Sequence, residues 1–365
     1  MSDRTASPGL LNRIEGLPII VVFALILALF MYTAPEVFLA PQIYTTLLST
    51  APPLILLAVG LTFVIGAGEI DLSFPAVIAF SGFVFAVLFK EYQLGWLAVL
   101  GGLASGVLVG VVNGLLIARI GIPSFIATLG TQFFWSGMAT VLSGGKSYAL
   151  RGAEDSSVWK LIVGNFGDPN SIAWQDQISV QAVWTALIVI FLWFVLNRHR
   201  FGEHVLFLGD SNDVARVVGI NVEWEKIRLY TLMGTLAAIA AMMLTLENKN
   251  YFGNQGQGYL LTAIAAVLIG GTSIFGGRAT IVGTVFGCFI IWMIEAGLVA
   301  SGLTGAWVRT VQGLIFLIAI VFYLFVEEPG RSAAFVRRLR GSGGAGRRGA
   351  EGGGALPRRA GPRGS

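Results

Sequence analysis

The feature that most constrains this chain is a succession of apolar runs, each long enough to cross a membrane. A bilayer core of about 30 Å needs about 20 apolar residues to span it as a helix. The runs occupy residues 17–34, 43–66, 72–89, 94–118, 123–142, 180–197, 228–246, 261–276, 280–300 and 306–326. The sequence therefore predicts an all-α membrane protein with about ten transmembrane helices.

Charge and cysteine content agree with this class. Only 12% of the residues are charged, whereas soluble proteins carry about 25%. The single cysteine, Cys288, excludes a disulfide within the chain and is interpreted as a small buried hydrophobic residue. Residues 331–365 hold nine arginines and one glutamate, so the basic character of the chain lies in a tail. Its composition predicts a disordered cytoplasmic segment over residues 327–365.

The distribution of lysine and arginine predicts the orientation in the membrane. With the N-terminus, residues 1–16, in the cytoplasm, alternation of the spans places 18 of these residues inside and 5 outside. The favoured topology is N-in and C-in for a transmembrane domain over residues 17–326. Loop 198–227 is then cytoplasmic, and segment 143–179 forms the longest external loop.

The cytoplasmic loop contains a short helix signal within residues 202–222. Asp210 and Ser211 are good N-caps, and Gly219 suits the position after a helix end because glycine adopts a left-handed conformation readily. A helix of two turns is unstable alone in water, so this segment is expected to dock on a partner. Its apolar edge is formed by Val214, Val217 and Val218.

The stretch GAGEIDLSFP, residues 66–75, interrupts apolar sequence with two carboxylates. Its glycines and proline predict a helix break, with Glu69, Asp71 and Ser73 as candidate functional residues. Broken helices often line transport sites. The alternative is an ordinary cytoplasmic turn in which Asp71 caps the next helix.

A second break is predicted at LIGGTSIFGGRAT, residues 268–280, where Gly270, Gly271 and Thr272 lie between apolar runs. This stretch is interpreted as a tight connection or a re-entrant segment.

One predicted span carries four glycines at a spacing of four residues, which places them on one helix face. Small residues let two helices approach closely in lipid, so we expect close helix packing at Gly102, Gly106, Gly110 and Gly114.

Catalytic chemistry is poorly supported. SGGKS, residues 143–147, resembles the end of a phosphate-binding loop, but Thr140 stands where that motif requires glycine. Two histidines without a neighbouring cysteine do not suggest a metal site. We therefore expect no enzyme activity, no cofactor or metal, and no nucleic-acid partner.

Four stretches together resemble the membrane permease subunit of bacterial ribose/xylose-type monosaccharide ABC importers. They are GEIDLS (68–73), VNGLLIARIGIPSFIATLG (112–130), LGDSNDVARVVGINV (208–222) and AIAAVLIGGTSIFGGRATIVGT (263–284). The chain departs from the pattern at Phe74 and Pro75, where relatives usually have a small residue and glycine.

The resemblance implies a multi-pass protein of the bacterial inner membrane. Two permease copies, identical or different, would form the pathway, a periplasmic sugar-binding protein would deliver the sugar, and a cytosolic ABC ATPase would hydrolyse ATP. Segment 210–220 would be the coupling helix that contacts this ATPase. The expected contact residues are Asp210, Ser211, Asn212, Asp213, Ala215, Arg216 and Gly219.

The pathway of a neutral sugar should be lined by aromatic and amide groups. Residue type and approximate depth suggest Phe134, Trp135, Asn248, Tyr251 and Gln255. A rival interpretation is a stand-alone secondary carrier driven by protons or sodium, with its ion sites at Glu69, Asp71 and Glu295. The sugar itself is not predicted.

Overall fold

The apolar runs fold into helices because a segment in lipid has to satisfy its backbone hydrogen bonds internally. The computed structural model describes residues 16–167, 178–302, 307, 310–314, 317 and 320–321. The predicted tail 327–365 lies outside these residues, as does much of the predicted span 306–326. The description below concerns the unit Met1–Ala319; of a second unit, Ile320–Ser365, only helical residues 320 and 321 are described.

The chain is mostly helical over the described residues. The helices are α1 Leu17–Thr33, α2 Pro35–Phe38, α3 Pro41–Thr50, α4 Pro52–Gly66, α5 Phe74–Lys90, α6 Trp96–Ala118, α7 Ser124–Ser143, α8 Ser157–Ile162, α9 Val180–Arg198, α10 Arg200–Asp210, α11 Asn212–Val217, α12 Val222–Glu247, α13 Tyr259–Ile269 and α14 Ile281–Ala300. Two short antiparallel strands, β1 Tyr148–Ala149 and β2 Asn250–Tyr251, pair Tyr148 with Tyr251.

Five helices among the described residues are long and apolar enough to cross a membrane: α6, α7, α9, α12 and α14. A sixth span arises if α3 and α4 cross together, although they are bent by 52°. The apolar run 43–66 is thus two helices, because Pro52 and Pro53 cannot donate the hydrogen bonds that would continue α3. The shorter apolar helices are α1, α5 and α13.

The protein interior is built around α4 and α12. All fifteen residues of α4 are buried, and α12 is buried over most of its length. In contrast, α7 and α9 present large apolar side chains at the surface, among them Phe133, Ile190 and Phe191. This arrangement is typical of a bundle whose outer helices face lipid or another subunit.

Four glycines of α6 lie against α12. A β-carbon at Gly110 would lie 2.8 Å from Cα of Thr231, and one at Gly114 would lie 2.7 Å from Cα of Ile227. Gly106 meets the backbone of Gly234, and Gly102 contacts Met242. The two helices approach so closely at the three positions Gly106, Gly110 and Gly114 that a side chain there would force them apart.

The described part of segment 143–179 packs on the end of α12. After β1 come a 3₁₀ turn, Ala153–Asp155, and α8. The indole of Trp159 donates a hydrogen bond of 3.2 Å to the Leu246 carbonyl, and Lys249 pairs with Glu154 at 3.6 Å. These contacts order the described part of the loop against the bundle.

Candidate coupling and translocation site

The short helix signal of loop 198–227 corresponds to two helices rather than one. The first, α10, was not predicted, although Val205 and Leu208 are both buried and lie three residues apart on one face. The second is α11, whose N-cap is Ser211: its hydroxyl accepts a hydrogen bond from the Val214 N–H at 3.4 Å. The expectation that Asp210 also caps this helix is wrong, because Asp210 is the last residue of α10.

The end of α11 follows the expected geometry. Gly219 has a φ of +86°, and its N–H donates to the Arg216 carbonyl at 3.0 Å. No neighbouring atom lies within 4 Å of the place where its β-carbon would be. Glycine is therefore required at this position by the backbone conformation and not by space.

One face of α11 is held by the protein and the remaining faces are exposed. Within α11 the buried residue is Ala215, whereas Val217 is 87% exposed. Asp213 and Arg216 form an exposed ion pair at 3.7 Å. The outward surface of the segment comprises Asn212, Asp213, Val214, Arg216, Val217, Val218 and Gly219. It combines an apolar edge with both signs of charge, which is a composition suited to a protein partner.

The end of α10 meets both helix breaks. Around Gly209 the backbones of three chain segments come together, and Cα of Gly209 lies 2.6 Å from the position of a β-carbon on Gly276. The Gly277 N–H donates to the Gly66 carbonyl at 3.0 Å. Gly68 packs on Gly209 from the first break. We call this contact of Gly66, Gly68, Gly209, Gly276 and Gly277 the glycine junction.

The first break, residues 67–73, is buried in the bundle and capped by its own side chains. Asp71 is 2% exposed, and its Oδ1 accepts from the Ser73 N–H at 2.7 Å and from the Ser73 hydroxyl at 2.6 Å. The amide of Asn113, on α6, donates to the Ser73 oxygen at 2.7 Å. Asp71 thus organises the start of α5, as the turn interpretation expects, but it does so inside the protein.

Helix α7 supplies acceptors for the backbone of this break. Ser124 accepts from the Ile70 N–H at 3.2 Å, and Thr128 accepts from the Leu72 N–H at 3.1 Å. One turn further, Gln132 accepts from the Ala76 N–H at 3.0 Å. The sequence analysis missed these three residues, although their spacing of four residues is a visible polar stripe on an apolar helix.

An ion pair connects the break to α12. Nζ of Lys226 lies 2.5 Å from Oε1 of Glu69, and the two side chains are 14% and 9% exposed. The hydroxyl of Tyr230, one turn further along α12, donates to the Ile70 carbonyl at 3.3 Å. The charge of Glu69 is therefore neutralised within the protein.

The second break joins α13 to α14 through a tight turn. Gly270, Gly271 and Thr272 continue the end of α13 through their N–H groups, which donate to carbonyls of that helix at 2.9 to 3.2 Å. The Thr272 hydroxyl accepts from the Thr280 N–H at 3.3 Å. The predicted run 261–276 is thus shortened, because glycines with positive φ, Gly271 and Gly276 among them, end the helix.

Three of the five pathway candidates contribute to aromatic clusters. Phe134 is 56% exposed and meets Trp135 edge to face at 5.0 Å between ring centroids. The ring of Trp135 lies 4.7 Å from that of Phe80, and its indole N–H is buried without a hydrogen-bond partner. Tyr251 packs on Phe83 at 5.9 Å, and burial raises the pKa of Tyr251 to about 12.

The two amide candidates are engaged in local bonds. Asn248 donates to the Leu244 carbonyl at 2.8 Å in its own helix turn. Gln255 donates to the Ile78 carbonyl at 3.3 Å and to the Thr245 hydroxyl at 3.2 Å, so it ties the loop after α12 to α5. The structure places these amides beside the helix ends rather than with Phe134 and Trp135.

The carboxylates that a secondary carrier would use already have partners. Glu69 pairs with Lys226, Asp71 accepts from Ser73, and Glu295 accepts a hydrogen bond from the amide of Gln312. Carboxylates engaged in this way are poor candidates for ion sites.

A helical membrane bundle with two internal breaks and an exposed two-turn helix defines a transport permease. The chain belongs to the family described as the permease component of branched-chain amino acid transport systems, whose model matches residues 43–320.

Relatives of the chain import sugars. It is 32% identical to the fructose import permease of Rhizobium meliloti over 73% of both chains. The ribose import permease of Bacillus subtilis is 34% identical over 73% of this chain and 80% of the relative. An inner membrane ABC transporter permease of Escherichia coli is 30% identical over 84% of this chain and 91% of the relative. No solved structure matches the chain. The chain is a multi-pass permease of the bacterial inner membrane.

Proposed function

We propose that this chain is the permease subunit of an ATP-driven importer for a monosaccharide or a similar small polar solute. The observation that carries the proposal is the similarity to ribose and fructose import permeases over about three quarters of the chain. The family description refers to branched-chain amino acids, but these relatives are named for sugars. The exposed surface of α11 supports the same function, because an importer of this type needs a helix that engages a separate ATPase.

The proposed topology has ten spans with both termini in the cytoplasm. It follows from the bias of 18 lysine and arginine residues inside against 5 outside. In this orientation α10 and α11 face the cytoplasm. The loop that carries β1 and α8 then faces outward, where a sugar-binding protein would dock.

The partners follow from this arrangement. A cytosolic ABC ATPase would bind the outward surface of α11 and hydrolyse ATP, and a second permease copy, identical or different, would complete the pathway. ATP binding would draw the two coupling helices together, and α9 and α12 would tilt as rigid bodies so that the cavity opens outward. Hydrolysis would return the permease to its inward-facing state, and each partner state would favour one of two discrete arrangements.

The first experiment is a pull-down of the chain from its native membrane, with the associated proteins identified by mass. An ABC ATPase and a periplasmic binding protein are the expected companions. Screening that binding protein against monosaccharides and branched-chain amino acids then decides between the two substrate classes. A folded chain that comes down alone and responds to an ion gradient would contradict the proposal.

Variants of the coupling helix test the contact itself. Arg216→Glu and Gly219→Val should abolish substrate-stimulated ATP hydrolysis while membrane insertion persists, because one reverses a surface charge and the other distorts the helix end. Lys160→Glu, a charge reversal at an exposed position in α8, is the matched control and should retain stimulation. Normal stimulation in both α11 variants would rule out this surface as the ATPase contact.

A further inference from the structure

The first break, residues 67–73, touches the chain on both sides of α11. Before α11, Gly209 packs against Gly66 and Gly68 in the glycine junction. After α11, Lys226 pairs with Glu69. The break is therefore attached to the coupling loop at two points that flank the helix facing the ATPase.

The ion pair is the stronger of the two attachments. Both side chains are largely withdrawn from solvent and lie at 2.5 Å from each other. Separating them would leave two buried charges without compensation, and such charges are costly in a protein interior. The pair therefore resists being pulled apart when the first turn of α12 moves.

The opposite side of the break is attached to α7. Ser124 and Thr128 accept from the Ile70 and Leu72 N–H groups, and Gln132 accepts from the first turn of α5. The same helix carries Phe134 and Trp135, the aromatic pathway candidates. A displacement of the break thus reaches α7 through three hydrogen bonds.

We propose that Glu69 and Lys226 are a positioning pair that transmits the movement of the coupling helix to the first break, and through it to α7. This inference rests on the proposed function. The glycine junction keeps the end of α10 in backbone contact with the break, and the ion pair keeps the start of α12 in contact with it. Both ends of the coupling loop then move the break as one body, as in rigid-body switches between discrete states.

The decisive variant removes the ionic link without leaving an unpaired charge. Glu69→Gln combined with Lys226→Met preserves side-chain volume, and neutral replacement of a buried ion pair is often tolerated in stability. We expect the assembled transporter, with its ATPase and binding protein, to hydrolyse ATP while the amount of solute moved per ATP falls by about tenfold, within the usual range of coupling between sites.

Charge reversal provides the second measurement. Glu69→Lys and Lys226→Glu should each lower the transport ratio, and the double swap should restore most of it because the pair is rebuilt in the opposite sense. The matched control is Arg119 and Glu223, an exposed pair at 3.5 Å on the same turn of α12. Reversing that pair should change the ratio by no more than about twofold, as expected of a surface ion pair.

Two outcomes would overturn the inference. A neutral double variant with a normal transport ratio would show that the pair only supports the fold, and so would charge reversals that reduce the yield of folded protein but not the ratio. Failure of the unmodified complex to move any solute with its ATPase would instead contradict the proposed function.

Discussion

The two helix breaks look alike in sequence but are stabilised in different ways. Each places glycines and hydroxyl side chains between apolar runs. The first break is held by side chains from three other helices, namely Asn113 of α6, Ser124 and Thr128 of α7, and Lys226 and Tyr230 of α12. The second is held largely by its own backbone, through N–H groups that donate to nearby carbonyls and through glycines with positive φ.

This difference suggests different roles in transport. A segment positioned by other helices changes place when those helices move, so the first break can respond to events at the coupling loop. A turn closed by its own backbone keeps its shape, so the second break serves as a fixed support against which Gly209 rests. Three substitutions test this contrast.

The largest effect on stability is expected at Gly276 in the second break. Gly276→Ala places a β-carbon 2.6 Å from Cα of Gly209 at a φ of +86°. Left-handed strain of about 1–2 kcal/mol and overpacking of about 1–3 kcal/mol should both lower the free energy of unfolding. Thermal unfolding of the purified protein in detergent measures the change.

Gly219→Ala is the matched control for this change. Gly219 has the same φ of +86°, but its β-carbon would meet no atom within 4 Å. Only the strain of about 1–2 kcal/mol should remain. Equal losses in the two variants would show that the glycine junction is not sterically tight.

An intermediate effect is expected where α7 holds the first break. Thr128→Val keeps the side-chain shape but removes the acceptor of the Leu72 N–H. An unpaired N–H in the interior should cost about 1–3 kcal/mol in the free energy of unfolding. Thr128→Ser retains the acceptor and should cost less, so an equal loss in both variants would assign the effect to packing.

The smallest effect is expected at the corresponding hydroxyl of the second break. Thr272→Val removes the acceptor of the Thr280 N–H, but that bond is long, at 3.3 Å, and the backbone of the turn holds the segment otherwise. We expect a loss of about 0.5–1.5 kcal/mol, the net value of an ordinary hydrogen bond. If thermal unfolding shows that Thr272→Val is more damaging than Thr128→Val, the contrast between the two breaks is wrong.

Local sequence predicted the positions of the breaks but not the groups that hold them. Glycine, proline and N-capping residues act on their immediate neighbours, so residues 66–75 and 268–280 could be recognised directly. The partner of Glu69, Lys226, is 157 positions away in the chain. A single sequence contains no information on such pairs until the packing of the helices is known.

The same limit applies to helix faces. The spacing of four glycines predicted a closely packed face on α6, but not that α12 lies against it. Residue type and depth suggested Gln255 as a pathway residue, yet its direction depends on its bonds to Ile78 and Thr245. Helix α10 was missed because the loop is rich in charge, which obscured the spacing of Val205 and Leu208.

The single buried methyl group of Ala215 on α11 has an evolutionary consequence. A helix that is anchored through so small a contact can exchange most of its surface residues without disturbing the membrane core. Adaptation to a new ATPase therefore demands changes only on α11, while the neighbouring Gly209 and Lys226 are constrained by what they touch. Recognition and force transmission are thus separated by a few residues of chain, and the permease can acquire new partners without redesigning its transport machinery.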